Sequence, residues 1–245
     1  MFTLGAVDLP AAFGFTLLLP PWRNFIRRSG IDAAHHGGAW AAHLRNPGLL
    51  LLSATGFLDL GVFVATFNDL TFRLSAPSCG LGQDQISLVF AVFLFWVMSS
   101  STAGLMADRF GRGPVLAAGI LCMAAGIALT LLPSLPGMIA GVAAVTIGFL
   151  VAHPVANGLA GRMAAGSKGH AASLCLLAYH LGSSCLGSAG GWFWTAGVWP
   201  AVAGFNAVLL THAWSCNAPV ADRGAAPGNR VSRMKKPAAH DRQRA

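Results

Sequence analysis

Two groups of residues in this sequence have the type and spacing that chemistry needs. The first is scattered through long apolar runs and comprises Asp59, Asp69, Arg73, His153 and His180. An ionisable side chain in an apolar run that crosses a bilayer costs a few kcal/mol, so each must have a reason to be there. At about 100° per residue, Thr55, Asp59, Thr66, Asp69 and Arg73 fall within about 80° of one another and form one polar stripe. Asp69 and Arg73 stand four residues apart and are expected to neutralise each other. Asp59 then has no partner on its own helix; it must find one elsewhere or stay protonated. His153 shares a helical face with Thr146 and Asn157, ahead of a bend expected at Pro154, while His180 stands near mid-run beside Tyr179, between Ser173 and Ser184. A carboxyl within reach of either histidine would take up a proton near neutral pH, which makes these five residues candidates for substrate or proton handling. The second group is a compact charged turn, Gly104, Asp108, Arg109, Gly111 and Arg112.

The elements that must position these groups are six apolar runs, at 49–72, 86–106, 114–132, 138–158, 171–191 and 196–215. Each is close to the ~20 residues that an α-helix needs to cross a ~30 Å hydrocarbon core, so the expected fold is all-α and polytopic, with six transmembrane helices. The basic residues fix an orientation. Fifteen of the sixteen Lys and Arg fall before the first run, after the last, or in alternate gaps between them, leaving Arg73 alone on the other side. Loops rich in Lys and Arg stay in the cytoplasm, so both termini are expected inside the cell. Residues 1–48 read as a remnant of a preceding span plus a basic cytoplasmic linker, 49–215 as the membrane domain, and 216–245 as a basic disordered tail. Composition agrees: 55% of residues are hydrophobic, 10% are charged, and no Glu occurs in 245 residues, against roughly a quarter charged in soluble domains. The net charge of +8 sits in juxtamembrane segments, where the anionic inner leaflet attracts it, so the lipid bilayer is the expected partner and nucleic acid is not. The five cysteines follow no ligand spacing, and neither a metal site nor a cofactor is expected. The G-x-S-G turn of an intramembrane serine protease is absent, so an enzyme is not expected either. The small-residue stretch Gly182–Gly191 reads as a close helix contact, and Trp192, Trp194 and Trp199 as anchors at the outer interface.

The charged turn between the second and third runs, Gly104-Leu105-Met106-Ala107-Asp108-Arg109-Phe110-Gly111-Arg112-Gly113, carries a resemblance. Glycine at a helix end permits close backbone approach, Asp108 suits the positive end of a neighbouring helix, and Gly111 permits a tight turn. The segment resembles the G-x-x-x-D-[RK]-x-G-[RK]-[RK] loop signature of the major facilitator superfamily, matching at Gly104, Asp108, Arg109, Gly111 and Arg112 and departing at Gly113. Thr66 to Leu74, Ala152-His153, and Leu181 to Ser184 with Gly187 to Gly191 look like the bacterial multidrug and sugar efflux permeases, of arabinose type, within that superfamily. The resemblance covers roughly residues 15–215, the C-terminal six-helix half of a fold with about twelve spans. It implies transport of a small-molecule solute across the bacterial inner membrane by alternating access, as efflux and with proton coupling. It also implies a complementary N-terminal half as a partner. The alternative is a nonfunctional fragment, or a half that works only when paired with another.

Overall fold

In the computed structural model, the described residues are 33–77, 79–89, 100–164 and 168–225, with a few isolated positions before residue 19. The chain divides into two units, 1–34 and 35–245. The second unit holds the helical bundle. Its helices are α1 (Ala33–Leu44, which enters it at His35), α2 (Pro47–Ser75), α3 (Ser100–Phe110), α4 (Arg112–Thr130), α5 (Leu135–Met163) and α6 (Lys168–Ala225), with a further helical stretch at 83–89.

Local sequence explains where the helices begin. The Asn46 side chain accepts hydrogen bonds from the backbone N–H groups of Gly48 and Leu49, and Pro47 has no N–H to leave unpaired, so α2 starts there. Ser134 caps α5 in the same way through Gly137, again with a proline in the first turn. Gly111 separates α3 from α4 at φ 91°, a backbone conformation that favours glycine. Inside the helices, Thr55, Thr66, Thr71 and Thr146 each donate their hydroxyl to the carbonyl four residues back, which satisfies the hydroxyl without any water.

Among the described residues, α2, α4, α5 and α6 are long and apolar enough to cross a membrane. Of these, α6 is two limbs. The backbone leaves helical geometry at Gly197 and Val198, and the Phe193 and Phe205 rings then stack at 4.4 Å, whereas twelve residues of straight helix would hold them ~18 Å apart. The chain therefore doubles back, and the two limbs correspond to the fifth and sixth apolar runs. The second limb runs on to Ala225, past residue 216, where the tail was expected to begin. The middle of the second run, 90–99, and residues 226–245 lie outside the described residues, as does most of 1–32.

Small residues set the helix contacts. A Cβ at Gly119 would lie 2.8 Å from the Gly148 carbonyl oxygen, and one at Gly126 2.6 Å from that of Gly141, so α4 and α5 run antiparallel with their backbones nearly touching. The first limb of α6 lies parallel to α2, because Gly182 meets Phe57, Leu186 meets Gly61, and Gly190 meets Asp69. The Gly182–Gly191 stretch thus packs as its small residues suggested. The burial pattern suits a lipid environment: Asp59, Asp69, Thr66, Thr146, Asn206 and Asn217 are buried, whereas Leu121, Leu176, Trp192, Val208 and Trp214 face outward.

Candidate functional site

The charged turn forms a braced joint. Its charges lie at the end of α3 and the start of α4, where Arg112 Nη2 donates to Asp108 Oδ1 at 3.3 Å across the break at Gly111. Asp108 keeps 71% of its side chain exposed, while Arg112 keeps 22%. The remainder of the Arg112 guanidinium lies against α5: a Cβ at Gly158 would stand 2.5 Å from Nη1, and Nε is buried without a hydrogen-bond partner. One cation therefore ties α3, α4 and α5 together at one end of the bundle. Arg109 only rests over the ring of its neighbour Phe110, at 5.4 Å. Gly104 has nothing within 4 Å of where a Cβ would stand, so the close backbone approach expected of it is not made by any described residue.

The polar stripe on α2 exists, but its pairing differs from the sequence expectation. Thr55, Asp59, Thr66 and Asp69 are all within 1% of complete burial. Asp69 and Arg73 do not pair. Arg73 reaches toward the helix end, where Nε contacts Met138 Sδ at 3.0 Å, Nη2 donates to the Leu132 carbonyl at 3.1 Å, and the guanidinium lies 5.3 Å from the Trp199 ring centre. Asp69 instead turns into the space left by Gly190, where its Oδ2 has no partner. The four-residue spacing allows the ion pair, but a carbonyl, a sulfur and an aromatic face at the bundle end offer the guanidinium more contacts. Trp199 is itself buried, donating from Nε1 to Thr130 Oγ1 at 3.1 Å, so it is a packing residue of that end and not a surface anchor.

Asp59 is buried on α2, within electrostatic reach of Tyr179 on the first limb of α6 and Cys216 on the second. It has neither a hydrogen bond nor an ion pair with His153 or His180, and its Oδ1 is buried and unpartnered. His180 is exposed on the outer side of α6, its backbone carbonyl accepting from Ser183 Oγ. His153 lies closer in, on α5. Its Nε2 is 3.1 Å from Asn157 Nδ2, its ring packs on Phe149, and its Nδ1 is buried without a partner. Between Asp59 and His153 stands Tyr179. The ring of Tyr179 fills the space above Gly56 on α2, meets the His153 ring edge-on at 4.6 Å, and places its buried hydroxyl within electrostatic reach of Asp59. Cys216, on the second limb, faces Asp59 as well.

Two amides complete this interior and were not among the sequence candidates. Asn206 Nδ2 donates to Thr66 Oγ1 at 3.2 Å, and both Asn206 Oδ1 and Asn217 Oδ1 are buried without partners. Their spacing is a usable signal, since Asn206, Leu210, Ala213 and Asn217 recur at helical period and are all buried. Placing the end of the sixth run at 215 hid Asn217. Among the described residues, the five buried, unpartnered oxygens and the His153 nitrogen come from α2, α5 and both limbs of α6. Among the described residues, no three His, Cys, Asp or Glu side chains converge as a metal site would.

Residues 38–228 match the model of the Major Facilitator Superfamily. The chain is 37% identical over 215 residues to the uncharacterized MFS-type transporter YybF of Bacillus subtilis (strain 168), covering 87% of this chain and 53% of that protein. It is also 37% identical over 210 residues to the inner membrane transport protein YnfM of Escherichia coli (strain K12), covering 86% and 50%. An uncharacterized transporter of Buchnera aphidicola subsp. Schizaphis graminum is 32% identical over 210 residues, covering 86% and 51%. The chain thus spans about half the length of the relatives it matches.

Proposed function

Because the chain belongs to the major facilitator superfamily, we propose that its apolar helices form one six-span half of a carrier that moves a small solute across the bacterial inner membrane by alternating access. The observation that carries this reading is the joint at Gly111. A single ion pair between Asp108 and Arg112, with Arg112 also lying against α5, can form in one arrangement of the helix ends and part in another. Asp108 is mostly exposed and so loses little when the pair parts, which suits a contact that cycles. The second six-helix half supplies the other wall of the solute path, toward which His180, exposed on α6, and the His153–Asn157 pair on α5 offer polar side chains in this reading.

Transport is coupled to protons and directed outward in this reading. The buried Asp59 carboxyl is the coupling group, and its seclusion from His180 leaves His153 as the histidine that acts with it. Asp69 and Arg73 help to shape the polar stripe without forming a charge pair. Both termini lie in the cytoplasm, as the distribution of Lys and Arg supports. A second reading, that these helices move nothing by themselves, draws on the burial of Asp59 entirely within this half. Both are tested by reconstituting the 245-residue chain in proton-tight liposomes, alone and co-expressed with the N-terminal half of YnfM. Proton-driven flux of a lipophilic cation or a sugar is expected only from the paired halves and is lost in Asp59→Asn. Flux that persists unchanged in Asp59→Asn removes this carboxyl from the coupling role.

A further inference from the structure

Tyr179 is the one tyrosine of the chain, and its hydroxyl is buried without a partner, as are Oδ1 of Asp59, which lies within its electrostatic reach, and Nδ1 of His153, whose ring it meets. Its ring is held on both sides. Gly56 leaves room for it on α2: a Cβ there would stand 2.6 Å from the ring carbon that bears the hydroxyl, so the ring occupies the place of a side chain. The edge-on contact with His153 holds it from α5 at 4.6 Å. A ring clamped in this way can still re-aim its O–H, and an O–H both donates and accepts. The groups that face it are Asp59 from α2, His153 from α5, Cys175 from its own limb and Cys216 from the second limb, across from Asp59. Cys175 is already engaged with Ser53, at 3.2 Å. A buried polar group without a hydrogen bond is costly, so three such groups on neighbouring side chains mark an arrangement that another protonation state satisfies better.

We propose that Tyr179 is a positioning residue for the coupling carboxyl: its hydroxyl donates to Asp59 when that group is ionised and turns toward His153 when Asp59 holds a proton. The protonation state of α2 is thereby transmitted to α5 through a side chain on α6. No covalent bond changes and no proton leaves Tyr179; the hydroxyl exchanges one acceptor for another. The inference rests on the reading of Asp59 as the coupling group.

The test uses difference infrared spectroscopy of the whole chain in lipid nanodiscs between pH 5 and pH 10, with all tyrosine carrying ¹³C in the ring. That labelling marks a single residue. The expected result is a carboxyl C=O band that disappears on alkalinisation and is absent in Asp59→Asn, with a Tyr179 ring band that shifts at the same midpoint and becomes insensitive to pH in that variant. Tyr179→Phe keeps the ring on Gly56 and removes only the donor. It is expected to move the carboxyl midpoint to higher pH by about one unit, roughly a tenfold gain in proton affinity. A merely structural tyrosine would leave that midpoint where it was. If the carboxyl band titrates while the tyrosine band stays still, the positioning role is overturned and the coupling reading stands. If no band assignable to Asp59 titrates, the coupling reading falls and this inference falls with it.

Discussion

The contact between α4 and α5 gives the sharpest test of how this bundle is built. Replacing Gly126 by alanine puts a methyl group 2.6 Å from both the Gly141 carbonyl oxygen and the Val145 nitrogen. Ordinary contact begins near 3.4 Å, so the two helices must separate by about 0.8 Å, and the obstacle is backbone on both counts. Gly104→Ala makes the same chemical change inside α3 but meets nothing within 4 Å. Both variants gain the same helix propensity, up to ~1 kcal/mol, so their difference isolates the packing cost. We expect Gly126→Ala to be less stable than Gly104→Ala by about 1–3 kcal/mol, the range for overpacking a tight core. Denaturant titration in mixed micelles, followed by tryptophan fluorescence, measures that difference. Adding Gly141→Ala to Gly126→Ala should cost less than the sum of the two single changes, since one separation relieves both clashes. If Gly126→Ala proves as stable as Gly104→Ala, the helices do not approach as closely as described and the small-residue argument fails for this pair.

The other contacts carry expectations of their own. Asp108→Asn should leave stability within about 1 kcal/mol, because the Asp108 side chain is largely exposed, yet reduce flux through the paired halves at least tenfold; equal flux with unchanged abundance would reduce the turn to a marker of topology. Cys79 should react with a membrane-impermeant maleimide on intact cells and Cys216 only after the membrane is opened, and the opposite pattern would invert the orientation. Asn206→Leu leaves the Thr66 hydroxyl its bond to the Val62 carbonyl, so we expect a loss of only about 1 kcal/mol by the same denaturant titration. Gly190→Ala would collide with the Asp69 carboxylate and should be markedly more harmful than Gly191→Ala, which meets open space; comparable expression and stability of the two would contradict the placement of Asp69.

What the sequence determined by itself is what depends on near neighbours along the chain. Apolar length predicted α2, α4, α5 and the two limbs of α6, and Gly111 was read as the tight turn that separates α3 from α4. The charged turn was legible as a group, though the ion pair between Asp108 and Arg112, four residues apart, was not drawn from the sequence. The polar stripe on α2 was legible as a face, since a period of 3.6 residues fixes which side chains share one. A period cannot say what that face meets, and here the tertiary structure decided. Asp69 and Arg73 have the spacing of an ion pair, but Gly190 on a distant limb draws one away and Trp199, Met138 and Leu132 draw the other. Asp59 had two histidines as expected neighbours, but it lies beside Tyr179 and Cys216, because the fifth and sixth runs fold back on each other at Gly197 and close over α2. Asn206 and Asn217 gained their meaning only from that closure. Each of these outcomes turns on a contact between residues more than fifty positions apart, for which the free energy comes from packing several helices at once and no local preference encodes the choice.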